Sequence, residues 1–194
     1  MQMHGDRRRT LVFIFILLLA ILVYRKDAFP QELSISFKKV NIRDSSAISS
    51  FNINGKISYG TIDAIRNGIT ARMYIMFQAL YRGPLSMGSR VAGEKTLVFT
   101  ISYDVWDNSF IVFKKGDSEK YPVQTPSDIL ALIVDLSNPV IIKIQEKKVD
   151  DILSLRAKIK IQTLKLYPPL GLFLFFYDPW NYESGWYYSK IINR

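Results

Sequence analysis

One histidine, His4, and no cysteine occur among the 194 residues. Histidine is the usual general base near neutral pH and the commonest metal ligand, and His4 stands ahead of an apolar run that separates it from the rest of the chain. For the domain beyond that run, serine–histidine–aspartate and cysteine–histidine nucleophiles, histidine metal sites, zinc ribbons, iron–sulfur clusters and disulfides are all excluded. The ten glycines form neither G-x-G-x-x-G nor G-x-x-x-x-G-K, so there is no phosphate loop. Two carboxylate pairs remain, Asp104 with Asp107 and Asp150 with Asp151. A pair of acids can hydrolyse a glycoside or hold calcium through oxygen alone, but both pairs sit in turn-like, polar stretches where aspartate makes local hydrogen bonds. A serine–lysine dyad stays open, because it needs only common residues.

The basic residues are the next candidates. Lys114 with Lys115, Lys147 with Lys148, and Lys158, Lys160 and Lys165 are too sparse for a nucleic-acid face, so nucleic acid is not an expected partner. Lys158 and Lys160 read as the solvent face opposite Ala157, Ile159 and Ile161, with attraction to anionic lipid headgroups as the other reading. Nine of the sixteen residues from Phe173 to Tyr188 are aromatic. Three readings compete there: core and rim packing, a peptide or sugar contact surface, and contact with a bilayer interface. A contact surface would use Trp180, Tyr182, Trp186 and Tyr187. No catalytic residue, cofactor or metal is expected.

Charge distribution gives location. The chain carries 26 Lys plus Arg against 17 Asp plus Glu. Arg7, Arg8, Arg9, Arg25 and Lys26 flank fourteen uninterrupted apolar or aromatic residues, Leu11 to Tyr24, and the remainder from residue 27 on has 21 basic against 16 acidic residues. At about 1.5 Å per residue the run spans roughly 21 Å, short of the ~30 Å hydrocarbon core, so the flanking arginine and lysine stems must snorkel to the headgroups. It ends in Val23, Tyr24, Arg25 and Lys26 instead of the small residues of a cleavage site. The expected organisation is a cytoplasmic basic N-terminus (1–10), a transmembrane signal-anchor (11–24), a linker (25–32) and an exported β-rich domain (33–194). The arginines before the run orient the N-terminus to the cytoplasm and the domain to the periplasm of a bacterial inner membrane.

The elements that must position these residues are mostly strands. Ile69, Ala71, Met73, Ile75, Phe77, Ala79 and Tyr81 alternate with Thr70, Arg72, Gln78 and Arg82, as a long half-buried strand requires. Thr96 to Tyr103 repeats the pattern, and Asp107, Asn108 and Ser109 turn it into Phe110 to Phe113, a hairpin that Lys115, Gly116 and Asp117 end. Further strands are expected at Leu33 to Ile42, Ile48 to Ile57, Val140 to Ile144 and Leu153 to Leu166. The apolar phase switches around Lys38 and Lys39, and again between Gln162 and Thr163, which predicts a bulge at each place. Thr125 with Asp128 predicts a capped helix carrying Ile129, Leu132, Ile133 and Leu136 on one face, and Thr61 to Asn67 a shorter helix ended by Gly68. The fold class is mostly β: an antiparallel sandwich-like domain with one or two helices packed on it, preceded by the transmembrane helix.

With Ala64 to Gly68 (AIRNG) leading into the long strand, Tyr103 to Val112 (YDVWDNSFIV) as the hairpin and Trp180 to Trp186 (WNYESGW) near the end, the chain resembles the membrane-anchored bacterial proteins of domain of unknown function 4390. The resemblance covers most of residues 33 to 190. It departs where a tryptophan-bearing segment usually follows the long strand; here the chain reads Gly83, Pro84, Leu85, Ser86, Met87, Gly88. The resemblance implies an exported, mostly β domain, supplies no catalytic residues, and implies an association with membrane sensor histidine kinases. The expected function is a non-catalytic, membrane-anchored interaction or adaptor protein with a membrane or periplasmic protein partner. The competing expectations are an accessory to a membrane sensor kinase and a carboxylate enzyme acting on envelope polymers.

Overall fold

Alternation of apolar and polar residues dictates the centre of the fold. In the computed structural model, which describes residues 33–43, 45–82, 88–144, 152–163 and 181–190, the alternating run becomes β3 (Ala71–Arg82). Ala71, Met73, Ile75, Phe77 and Ala79 of β3 have no exposed surface. Strands β4 (Ser89–Asp104) and β8 (Ile152–Thr163) pair antiparallel with its two edges. Strands β5 (Ser109–Lys114) and β6 (Lys120–Val123) follow beyond β4, while β9 (Tyr182–Glu183) and β10 (Tyr187–Tyr188) both lie on the far edge of β8. These form a seven-stranded sheet of order β10-β8-β3-β4-β5-β6, with β9 also on β8. A three-stranded antiparallel sheet is built from β1 (Ser34–Arg43), β2 (Ser46–Asn54) and β7 (Val140–Lys143), in the order β1-β2-β7.

One core joins the two sheets. The Phe77 ring of β3 lies 4.9 Å from the Phe51 ring of β2 and 6.4 Å from the Phe37 ring of β1, the latter edge-on at 72°. Each fully buried side chain of this size contributes roughly 1.5–3 kcal/mol by leaving water. Helix α1 (Tyr59–Arg66) adds Ile62, Ala64 and Ile65 to the core, and helix α2 (Pro126–Asp135) adds Ile129, Leu130 and Ile133. The sheets approach one another closely at Gly93 of β4. A Cβ on this glycine would stand 2.0 Å from the carbonyl oxygen of Lys143 at the end of β7, so only hydrogen fits there.

The mostly β, antiparallel architecture with two helices is the expected one; the anchor, with Arg7, Arg8, Arg9, Arg25 and Lys26, lies outside the described residues. The β1–β2 register shifts between Phe37 and Lys39, where the phase switch placed a bulge. No bulge occurs between Gln162 and Thr163, which pair in unbroken register with Arg72 and Ala71; the irregularity of this ladder is at its other end, at Leu80 and Tyr81. The short helix starts two residues earlier than expected because Ser58 accepts from the Thr61 N–H and caps it. Gly68, at φ +88, ends it with Gly68 N–H to Ile65 and Ile69 N–H to Ala64, a Schellman closure. Thr125 stands at the N-cap of α2, yet its hydroxyl bonds Ser127 instead of a helix N–H. Strand β4 begins seven residues before the alternation at Thr96 signals it.

Candidate functional site

The residues expected to form a contact surface divide between structure and display. Strand β8 would expose a row of unpaired backbone groups on its outer edge, and residues 181–190 cover it. Tyr182 pairs with Ile161 and Glu183 with Lys160; after Gly185 and Trp186 the register has moved by one residue, so that Tyr187 pairs with Ala157 and Tyr188 with Arg156. Short polar side chains complete the ladder where its backbone pairing is interrupted. The Ile159 N–H donates to Ser184 Oγ at 2.9 Å, the Leu155 N–H to Ser189 Oγ at 2.9 Å and the Thr163 N–H to Asn181 Oδ1 at 3.1 Å.

Alternation then sends the arm's side chains to both faces. Tyr182 and Tyr187 turn toward the core and bring their hydroxyls to buried Leu33, the residue before β1. The Leu33 N–H donates to Tyr182 Oη at 3.0 Å, and its carbonyl accepts from Tyr182 at 3.1 Å and from Tyr187 at 2.9 Å. On the solvent face, Glu183 bonds Lys158 and lies 3.5 Å from Lys160. The Lys158 hydrogen bond, aided by both ammonium charges, holds the Glu183 carboxyl below its usual range. The Arg156 guanidinium sits 4.2 Å from the Trp186 ring centroid and Lys158 Nζ 5.0 Å from it. Lys158 and Lys160 thus keep the solvent face expected of them and fasten the arm there. Trp180, Lys165, Lys147, Lys148, Asp150 and Asp151 lie outside the described residues.

A second site comes from the hairpin between β4 and β5, which the sequence marks as a turn and a carboxylate pair but not as a contact surface. Asp104 ends β4 and Ser109, its partner, begins β5, leaving Val105 to Asn108 as the loop. Asp104 Oδ1 accepts from the Trp106 N–H at 2.9 Å and, more weakly, from the Asp107 N–H at 3.4 Å, an Asx-type turn. Asn108 takes φ +50, and the Tyr103 hydroxyl donates to its Oδ1. The Tyr103 ring packs edge-on to Phe110 at 5.1 Å, and Arg66 of α1 lies 5.6 Å from the Phe110 ring. On this braced tip Trp106 is 96% exposed and Val105 74% exposed. Asp104, half of one carboxylate pair, is therefore the residue that shapes the loop. An open hollow of about 580 Å³ adjoins Trp106 and is lined by Thr100, Ser102, Ile111, Phe113 and Lys120. The available signal was an apolar pair set between two aspartates, where a hairpin loop normally carries polar residues.

Of the two remaining basic candidates in the described residues, Lys115 is exposed and Lys114 has a structural partner. Lys114 Nζ donates to the Leu136 carbonyl at 2.6 Å, which places a cation on the C-terminal end of α2 and ties that helix to β5. Beside α2, an open groove of about 650 Å³ is lined by Ile53, Lys56, Ile57, Leu130, Ala131 and Val134.

Residues 30–189, most of the chain, match the family model described as domain of unknown function DUF4390. No curated protein and no solved structure matches the chain.

Proposed function

We propose that this chain, which belongs to the DUF4390 family, is a non-catalytic interaction module held at the bacterial inner membrane by residues 11–24, with its β domain in the periplasm. The observation that carries the reading is the hairpin tip. A tryptophan left almost wholly in water forgoes the burial that large aromatics normally gain, and here the loop bonds of Asp104, Asn108 and Tyr103 fix it in that position. Binding through a loop that is already ordered loses little conformational freedom, so the apolar area of Trp106 and Val105 is available for affinity. Tethering supports the same reading, since confinement to a membrane raises the effective concentration of the module toward membrane partners.

The test is purification of the full-length protein from membranes in mild detergent, with mass spectrometry of its companions and of its own N-terminus. A stoichiometric membrane or periplasmic protein, retained by the intact chain and lost from Trp106→Ala, is the expected result. A partnerless protein beginning near residue 28, or retention indifferent to Trp106→Ala, would remove the reading.

A further inference from the structure

We infer that the Val105–Trp106 tip docks into an apolar pocket with a cationic rim on a second, different protein, and not into lipid. This rests on the interaction-module reading and adds the chemistry of the partner. The argument is one of charge. The chain from residue 27 on is mildly basic, with 21 basic against 16 acidic residues. Lys38, Lys39, Arg43, Lys56, Lys95, Lys115, Lys120 and Lys143 are exposed on the domain. Exposed acids are scattered among them, at Asp63, Glu94, Glu119, Asp128 and Asp135. The tip itself carries no cation, although Lys120 lines the hollow beside it: its exposed tryptophan stands between Asp104 and Asp107, and Asp107 is itself exposed and one residue away.

An anionic bilayer surface would draw in the lysines and repel this tip, and any lowering of Trp106 into the interface would carry the Asp107 carboxylate toward the headgroups. The same carboxylate beside an apolar anchor suits a protein pocket edged by lysine or arginine, where opposite charges steer the encounter and set the register. A second copy of this chain is a poorer match, because two domains that each carry a net positive charge, 21 basic against 16 acidic residues from residue 27 on, repel on approach. Aromatic anchors of this kind typically carry a large share of binding energy, with charged residues at the rim acting mainly on association rate and salt dependence.

The experiment places a benzophenone amino acid at Val105 in the full-length, membrane-embedded protein and irradiates it in cells. The adduct is compared among the parent, Trp106→Ala, Asp107→Asn and Asp107→Lys, with far-UV circular dichroism confirming that each variant keeps its β content. Asp104 is left intact because it shapes the loop. The expected result is a protein adduct whose crosslinked peptide is apolar and flanked by Lys or Arg. With the partner so identified, its affinity should fall about 30-fold or more in Trp106→Ala, and association should slow on the order of tenfold in Asp107→Lys, with a weaker salt dependence in Asp107→Asn. An adduct lost in Trp106→Ala but indifferent to both Asp107 variants would overturn the cationic rim and leave the interaction module standing. Indifference to Trp106→Ala would overturn both. An adduct of twice the chain mass would replace the foreign partner with a second copy. Binding to vesicles of phosphatidylethanolamine and phosphatidylglycerol that strengthens in Asp107→Lys and is lost in Trp106→Ala would replace it with lipid.

Discussion

At the scale of single residues, the tyrosine hydroxyls explain more of this domain than any of its charges. Leu33 is wholly buried, and both of its backbone groups are satisfied by side chains about 150 residues away in sequence. Tyr182→Phe removes the acceptor for the Leu33 N–H and one donor to the carbonyl, whereas Tyr187→Phe removes one of two donors to that carbonyl. In urea unfolding we expect Tyr187→Phe to cost about 0.5–1 kcal/mol and Tyr182→Phe about 1–2 kcal/mol. The double variant should exceed their sum, because only then is the carbonyl left with neither donor; strict additivity would show that solvent replaces the missing partners. The Glu183 carboxyl has a different signature. Its pKa is lowered in the folded chain by the Lys158 hydrogen bond, so its contribution is fully present above the ordinary carboxylate range and is lost as the pH falls through that range toward the lowered folded value. The carboxylate is part-exposed, which limits the effect to about 0.2–1 kcal/mol. Urea midpoints measured from pH 6 down to pH 3 should fall more steeply for the parent than for Glu183→Gln, and parallel curves would remove the ion pair from the account.

Elements differ in how plainly they announce themselves, and the differences have physical causes. β3 is legible because from Ala71 to Ala79 one face is entirely buried while the other keeps some contact with water, so period two is imposed there; it breaks only at its end, where Leu80 and Tyr81 are both buried and the ladders shift. The first half of β4 is not, because Val91 is exposed there while Ala92 and Gly93 turn inward, and the ladder carries an extra residue opposite Ala79 and Leu80. β6 hides behind a polar sequence and Pro122, which an edge strand tolerates and a central one does not. The C-terminal arm reads as aromatic packing, while the groups that make it a strand are Asn181, Ser184 and Ser189, residues with no strand preference. The exposure of Trp106 is not legible, because tryptophan in a β-rich chain is as common in a core as on a surface and residue type alone carries no mark of exposure. Gly93 is equally silent in the sequence, since its need arises from Lys143, about fifty residues on. Because the atom it would meet is the Lys143 backbone oxygen, Gly93→Ala must displace β7 from β4, and we expect a loss of roughly 1–3 kcal/mol or more in thermal or urea unfolding. Gly185→Ala, whose added Cβ would meet nothing within 4 Å, is the matched control and should be close to neutral. Equal effects at the two positions would mean that the sheets do not close at Gly93.

For the domain as a whole, the consequence lies in where its ends meet. The described chain begins at Leu33, directly after the expected linker, and the arm of residues 181–190 closes on that residue while pairing with β8. One short segment therefore belongs to the seven-stranded sheet by its backbone and to the entrance of the three-stranded sheet by its hydroxyls. If residues 11–24 hold the protein in a membrane, any pull along the linker enters the domain at the point where this arm grips. Removing residues 181–194 should then do two separable things. The N–H groups of Leu155, Ile159 and Thr163 lose their acceptors and the β8 edge opens, which predicts faster hydrogen exchange at these three positions and concentration-dependent association through that edge. Leu33 also loses its three hydroxyl bonds, which lowers the melting temperature even in dilute solution where association is absent. A synthetic peptide of residues 181–190, supplied in excess, should slow exchange at Leu155, Ile159 and Thr163 and return the truncated chain to a single species on size exclusion, because it restores both the ladder and the hydroxyls. A truncated chain that melts and elutes like the parent would instead show that the aromatic arm rests on the domain without holding it, and its residues would then be free to serve a partner.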